Sequence, residues 1–334
     1  LHYVGETQRA ALHHIKSVRA ERRHESIILD AASRRNLELE HNLRGGTDNT
    51  LVSVIDSTVT AMGGRLLRRW VNRPLRDRNT LRHRYDAIRQ LNRADAVEPL
   101  TDLLRGLGDI ERIMTRVAMK SARPRDLATL RDALERLPEI HKIIDPIDSP
   151  RIETLSDMVG EHPRPTLLLR KAVIDNPPVL IRDGGVIADG YDDELDELRN
   201  LSKNADQFLV DLELRERERT GISTLKVSYN RVHGYYIEIS KAHGDNIPDE
   251  YIRRQTLKGA ERYITPELKS FEEKVLSAKE KSLAREKQLY DSLLDKIAED
   301  LIPLQLLATA LAEIDSLRCF SERAQKLGWC EPQL

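Results

Sequence analysis

Two long stretches without glycine or proline bracket a segment of a different kind. The first runs from Tyr191 to Thr220, between Gly190 and Gly221; the second runs from Glu267 to Ile302, between Pro266 and Pro303. Both are rich in Leu, Glu, Lys, Arg and Ala, residues that lose little on entering a helix. Their ends carry helix signals. Asp189, Asp192, Asp193 and Glu194 place negative charge at the first N-terminus, and Gly221 supplies a left-handed stop. Thr265, Pro266 and Glu267 read as cap, first-turn proline and acidic first turn of the second helix.

Apolar residues in both stretches recur at nearly heptad spacing. Leu195, Leu198, Ala205, Leu209 and Leu212 alternate by three and four, with Ser202 the one polar member. Leu268, Phe271, Val275 and Ala278 begin the same pattern in the second, where Leu276, Leu283 and Tyr290 recur every seven. Such a stripe suits a single partner helix, so an antiparallel pair is favoured over two helices lying on a globular core. Thirty residues at 1.5 Å rise would carry the chain out by roughly 45 Å before the second helix brings it back.

Between the helices, residues 222–264 switch to period two. Leu225, Val227 and Tyr229 alternate with Lys226, Ser228 and Asn230; Tyr235, Ile237 and Ile239 alternate with Tyr236, Glu238 and Ser240. That is the pattern of a half-buried hairpin. Five of the nine tyrosines fall here: Tyr229, Tyr235, Tyr236, Tyr251 and Tyr263. They could stack on splayed bases, but the alternation favours Tyr229 and Tyr235 as filling for the hairpin's own core, with Tyr236 on the polar face.

The N-terminal half, from Leu29 to about Leu180, reads as helical, for example through Leu66, Leu67, Trp70 and Val71 and through Leu127, Leu130, Leu134 and Leu137. Loops are expected near Asp145–Pro150 and Pro163–Pro165. The fold class expected from these patterns is mainly α: a helical N-terminal half, a long antiparallel helix pair and a small β-rich knob at its far end, with residues 1–28 as a basic linker.

The formal net charge of −1 hides a gradient. Residues 191–220 hold five basic and ten acidic side chains, and residues 267–302 hold seven and nine. Residues 251–264 hold Arg253, Arg254, Lys258 and Arg262 against Glu261 alone. A polyanion would be repelled by the shafts and drawn to the end. Arg253, Arg254 and Lys258 are candidates for phosphate contact, with Gln255 and Thr256 as polar donors between them. The other reading of the same charges is a solvated loop whose arginines pair with carboxylates of the shafts.

Several classes are disfavoured. A net charge near zero excludes a globally basic nucleic-acid coat. Two cysteines, Cys319 and Cys330, make neither a disulfide framework nor a Cys-based zinc site, which points to a reducing compartment. The apolar stretch Ile302–Ile314 is too short for a bilayer and carries Gln305, Thr309 and Glu313. The chain opens on Leu1 without a secretory leader and reads as a piece of a longer protein. No phosphate-binding Gly-x-x-x-x-Gly-Lys-[Ser/Thr] loop occurs. His13 and His14 are adjacent and so face different sides of a helix, and the acidic run from Asp192 to Glu197 lacks calcium-loop spacing. No metal and no catalytic group is expected.

Five segments together resemble the MutS family of bacterial DNA mismatch-repair ATPases. They are Asp30-Ala31-Ala32 with Arg34-Arg35-Asn36-Leu37-Glu38-Leu39; Thr50-Leu51 through Asp56-Ser57-Thr58-Val59-Thr60 to Met62-Gly63; and Arg65-Leu66-Leu67-Arg68 with Trp70 and Pro74-Leu75. The fourth is Asp183-Gly184-Gly185-Val186-Ile187 through Gly190-Tyr191 to Glu194-Leu195-Asp196-Glu197-Leu198-Arg199. The fifth comprises Leu225-Lys226-Val227, Asn230, His233-Gly234-Tyr235-Tyr236-Ile237, and Arg253-Arg254-Gln255-Thr256-Leu257-Lys258 with Ala260-Glu261-Arg262-Tyr263.

The resemblance implies a mainly α fold with a helical core and a long antiparallel helix-pair lever over 29–205 and 266–330, preceded by a linker over 1–28, and a small β-rich clamp inserted at the lever tip over 206–265, which contacts the backbone of duplex DNA without reading its sequence. That role would pass to Arg253, Arg254, Gln255, Thr256 and Lys258, with Asn230 and Arg231 as weaker contacts; Gly259 departs from a polar residue in some relatives. It further implies a homodimer in the full-length protein, MutL as a partner, a cytoplasmic location, and no membrane. The mismatch-reading domain would precede this region. The ATPase domain, with its ATP and Mg, would follow it, so this part would hold no cofactor and would not be an enzyme. The levers would relay nucleotide state to the clamp. A non-catalytic module whose tip docks another protein is the alternative.

Overall fold

The computed structural model describes residues 25–230, 234–241 and 247–334, with the backbone alone over 202–206. The chain is mainly helical with one small antiparallel sheet inserted, as its periodicities predict. It divides into two compact units, one of residues 1–179 and 291–334 and one of residues 180–290.

Among the described residues of the first unit, ten helices precede the division: α1 (Ala31–Asn36), α2 (Leu51–Ile55), α3 (Ala61–Asn72), α4 (Arg78–Arg93), α5 (Val97–Leu104), α6 (Ile110–Ala118), α7 (Pro124–Glu135), α8 (Leu137–Ile144), α9 (Pro150–Val159) and α10 (Pro163–Ala172). The second unit holds α11 (Asp193–Thr220), β1 (Lys226–Asn230), β2 (Gly234–Ser240), β3 (Ile252–Thr256) and β4 (Ala260–Ile264). Helix α12 (Pro266–Ala298) spans the division, and α13 (Leu301–Leu327) ends the first unit.

Helix α13 is the centre of the first unit because it is apolar on nearly every side. Leu304, Leu307, Leu311, Ile314 and Leu317 are all fully buried, and α2 to α6 and α9 pack around it. A helix so enclosed must satisfy its polar side chains internally. Asp315, without exposure, accepts the Val59 amide at 3.1 Å, the Thr60 amide at 2.8 Å and the Thr60 hydroxyl at 2.7 Å. Arg318 pairs with Asp315 at 3.1 Å and donates to the Ser57 carbonyl at 2.5 Å. The buried Cys319 thiol donates to the Ile55 carbonyl at 3.0 Å, and burial pushes its pKa up. The segment Asp56 to Gly63 is thus shaped by one buried helix face.

Proline placement differs from the sequence reading at two points. Pro163 and Pro165 lie in the first turn of α10, where a missing N–H costs nothing, and not in a loop. The stretch Glu267–Ile302 is likewise two helices: α12 ends at Ala298, α13 begins at Leu301, and Pro303 sits in the first turn of α13.

In the second unit α11 and α12 run antiparallel. The base of α11 meets the far end of α12, Asp192 with Arg285 at 2.7 Å and Arg199 with Glu286 at 2.9 Å, and further along α11 the partners move back, Phe208 stacked on Phe271 at 3.9 Å and Arg215 with Glu267 at 2.5 Å. The α12 stripe begins as expected with Leu268, Val275 and Ala278, then continues through Ser282 and Glu286. Leu276, expected in the stripe, is 43% exposed. Glu286 holds its buried place because the loop before α11 needs it. Its carboxylate accepts the amides of Gly185 (2.9 Å), Val186 (2.5 Å) and Ile187 (2.8 Å) as well as Arg199. Gly184 and Gly185 adopt φ of +73° and +75° to present those amides. The side chains of Ser202 and Ala205 lie outside the described part.

The sheet has strand order β1-β2-β4-β3, all antiparallel. One face packs Tyr235, Ile237, Ile239 and Tyr263 against Leu212 of α11 and Leu268 and Phe271 of α12. Tyr229 lies over Tyr235 at 4.9 Å but is 51% exposed, because β1 is an edge strand; the expectation that it fills the core fails. Tyr236, on the opposite face as expected, is nevertheless buried, with the Arg262 guanidinium 4.1 Å above its ring.

Candidate nucleic-acid interface

The candidate residues Arg253, Arg254, Gln255 and Thr256 form most of β3, the edge strand next to β4. An edge strand presents unpaired backbone and outward side chains, so its charge is available to a ligand. The register to β4 slips within this strand. Arg253 faces Tyr263 and Gln255 faces Arg262, leaving Arg254 as an extra residue. Such a bulge bends the strand and re-aims its side chains. Consecutive arginines here are therefore not forced to strict alternation.

Both arginines of β3 are held by carboxylates of the same unit. Arg253, its side chain 62% exposed, lies 3.3 Å from Glu261, and Arg254 lies 3.9 Å from Glu272 of α12. Pairs this exposed hold weakly and can exchange for a phosphate. Glu261 also accepts the Tyr263 hydroxyl. That bond, with Arg253, lowers its pKa, while burial and the same bond push Tyr263 up to about 12.

Arg262 is committed to the sheet. It donates to Glu238 at 2.9 Å and to the Gln255 side-chain oxygen at 3.0 Å. Gln255 therefore keeps its amide NH2 as a free-facing donor while its oxygen is used. Thr256 is exposed beside it. The β3–β4 turn closes through the Leu257 amide on the Ala260 carbonyl at 2.8 Å, with Lys258 and Gly259 exposed at its apex. Lys258 makes no ion pair among the described residues.

The structure adds Lys241, which the charge count over 251–264 passed over. Its backbone amide donates to the Gly259 carbonyl at 3.3 Å, so an exposed lysine stands beside the Lys258 turn. No local signal announces this neighbour; it follows from the β2–β4 pairing. Asn230 is placed elsewhere. It ends β1, the other edge strand, opposite Gly234. Three strand spacings, about 14 Å, separate the two edges, and Asn230 lies at the opposite end of the sheet from Lys258. Arg231 lies outside the described residues. The candidates thus form one group on β3 and its turn, with Asn230 apart.

Among the described residues no cluster of three His, Cys, Asp or Glu could hold a metal ion. Among them, too, no helix is long and apolar enough to cross a membrane. A family model, MutS domain III, matches residues 32–321, a span that includes the helical unit, the helix pair and the sheet. This chain therefore belongs to the MutS family of DNA mismatch-repair proteins, of which it carries domain III.

Proposed function

We propose that β3 and the β3–β4 turn grip the backbone of duplex DNA as a clamp, without reading sequence. Arg253, Arg254 and Lys258 would meet phosphates, Gln255 and Thr256 would donate hydrogen bonds between them, and Asn230 with Arg231 would make a separate, weaker contact. The carrying observation is the clustering of exposed cations on a bulged edge strand within an otherwise acidic unit. That arrangement supplies phosphate contacts and no helix for the major groove, so it positions DNA rather than specifies it. MutS domain III is distinct from the ATPase domain of the family, and the role proposed here is non-catalytic, with no cofactor of its own. ATP and Mg would act in the ATPase domain of a full-length cytoplasmic homodimer, and α11 and α12 would couple that domain to the clamp.

Docking of a protein such as MutL at the same edge is the second reading, favoured by the carboxylate partners that Arg253 and Arg254 already hold. Fluorescence anisotropy of a labelled homoduplex separates the two. Under the clamp reading the Arg253→Glu/Arg254→Glu/Lys258→Glu variant loses at least tenfold in affinity on every duplex sequence. Unchanged binding by that variant overturns it.

A further inference from the structure

The first unit carries an open groove of about 1230 Å³ formed by the end of α7, α8, the turn 145–149, α9 and the start of α10. Six carboxylates and one guanidinium line it. Two of the carboxylates are used internally: Glu135 pairs with Arg170 at 2.8 Å, and Asp145 accepts Ser156 at 2.5 Å beside His141 at 3.1 Å. The other four, Asp148, Glu153, Asp157 and Glu161, are exposed and have no ion-pair partner among the described residues. Asp109 and Glu313 of the same unit, by contrast, are matched by Arg65 and Arg151.

A second feature points the same way. Ser149 precedes α9 at the position where a serine hydroxyl ordinarily accepts a first-turn amide. Here it makes no such bond, lines the groove, is 3% exposed, and has no hydrogen-bond partner among the described residues. A buried hydroxyl left unpaired is unfavourable, and a donor entering the groove would relieve it. The groove also has an apolar side, from the buried Leu137 and Ile147 to Leu167, which is 54% exposed.

These features select the occupant. Nucleic acid is repelled by the carboxylates. A metal ion has no cluster of three ligands among the described residues. The groove is open, unlike the concave pockets that bury most of a small molecule. We infer that the groove binds a basic, amphipathic peptide segment of a partner protein. Lysine or arginine heads would lie on Asp148, Glu153, Asp157 and Glu161, one of them donating to Ser149, and an apolar side chain would cover Leu167. The site lies in a different unit from the DNA contacts, so it stands or falls independently of them.

The test uses the whole chain and a fluorescein-labelled twelve-residue peptide of Leu, Lys and Arg. Two controls carry Glu in place of the cations or Ser in place of Leu. The Leu/Lys/Arg peptide should bind and slow amide hydrogen exchange over residues 145–166. Binding should weaken at least tenfold in the Glu153→Lys/Asp157→Lys/Glu161→Lys variant and a few-fold in Ser149→Ala, with both controls weaker still. Absence of protection over 145–166, or equal binding by the triple variant or by the Ser-for-Leu peptide, overturns the inference. Should the triple variant not fold, Glu161→Lys alone, outside any helix, reads the same outcome.

Discussion

Asp315 holds Thr60 twice, through the backbone amide at 2.8 Å and the hydroxyl at 2.7 Å, although 254 residues stand between them in the chain. The same carboxylate faces Arg318, and it fills the space that a β-carbon on Gly63 would need. Replacing Asp315 with Ala takes one of its two carboxylate partners from the buried Arg318 guanidinium and leaves two backbone donors unpaired, at a cost of about 3–5 kcal/mol. Gly63→Ala should also destabilise, because the neighbour that must give way is itself locked. Urea unfolding followed by circular dichroism should show both losses; a wild-type midpoint in Asp315→Ala would refute this account of the core.

Glu286 plays the corresponding part in the second unit. Gln in its place keeps the shape and loses the charge facing three amides and Arg199. Glu286→Gln should cost about 1–3 kcal/mol and should raise hydrogen exchange at Gly185, Val186 and Ile187 above that of the sheet. Unaltered exchange there would mean that the glycine loop holds itself.

Acid should weaken the first unit through Glu322. Burial alone would raise its pKa, but hydrogen bonds from Lys326 and Ser57 and the charges of Lys326 and Arg318 hold it at about 2, below the ordinary 4.5. A carboxylate depressed on folding adds stability above its unfolded pKa and loses it as the pH falls through the folded one. The Glu322 contribution, on the order of 2 kcal/mol, should therefore be intact at pH 5 and fade toward pH 2. Comparing wild type with Glu322→Gln across that window isolates it: the difference should shrink as the pH falls.

Gly259 offers a gain of function. It sits at the apex of the β3–β4 turn without a positive φ, and a β-carbon there would meet nothing within 4 Å. Gly259→Lys should fold normally and add one phosphate contact, steepening the salt dependence of DNA binding by about 0.9 log units per log unit of salt.

The architecture was legible because helix and strand periods are local. The Gly/Pro-free stretches announced α11 and α12, and the alternation from Leu225 to Ile239 announced the hairpin. The misreadings are all tertiary. Tyr229 is exposed because sheet order makes β1 an edge, which alternation cannot say. Leu276 lies off the buried stripe, which runs through Val275, Ala278, Ser282 and Glu286, the last because a carboxylate is needed by a loop a hundred residues earlier. Pro303 starts a helix rather than stopping one because the break falls at Glu299 and Asp300. In the candidate site, Arg253 to Lys258 could be picked out by charge, whereas Lys241 is brought beside Lys258 only by strand pairing.

The most direct test of the clamp is the slope of log affinity for homoduplex DNA against log salt concentration, for wild type and for Arg253→Glu/Arg254→Glu/Lys258→Glu. Three phosphate contacts predict a slope of about −3, independent of sequence and close to zero in the variant. A shallow wild-type slope, or one that the variant retains, would contradict the account and place the grip elsewhere.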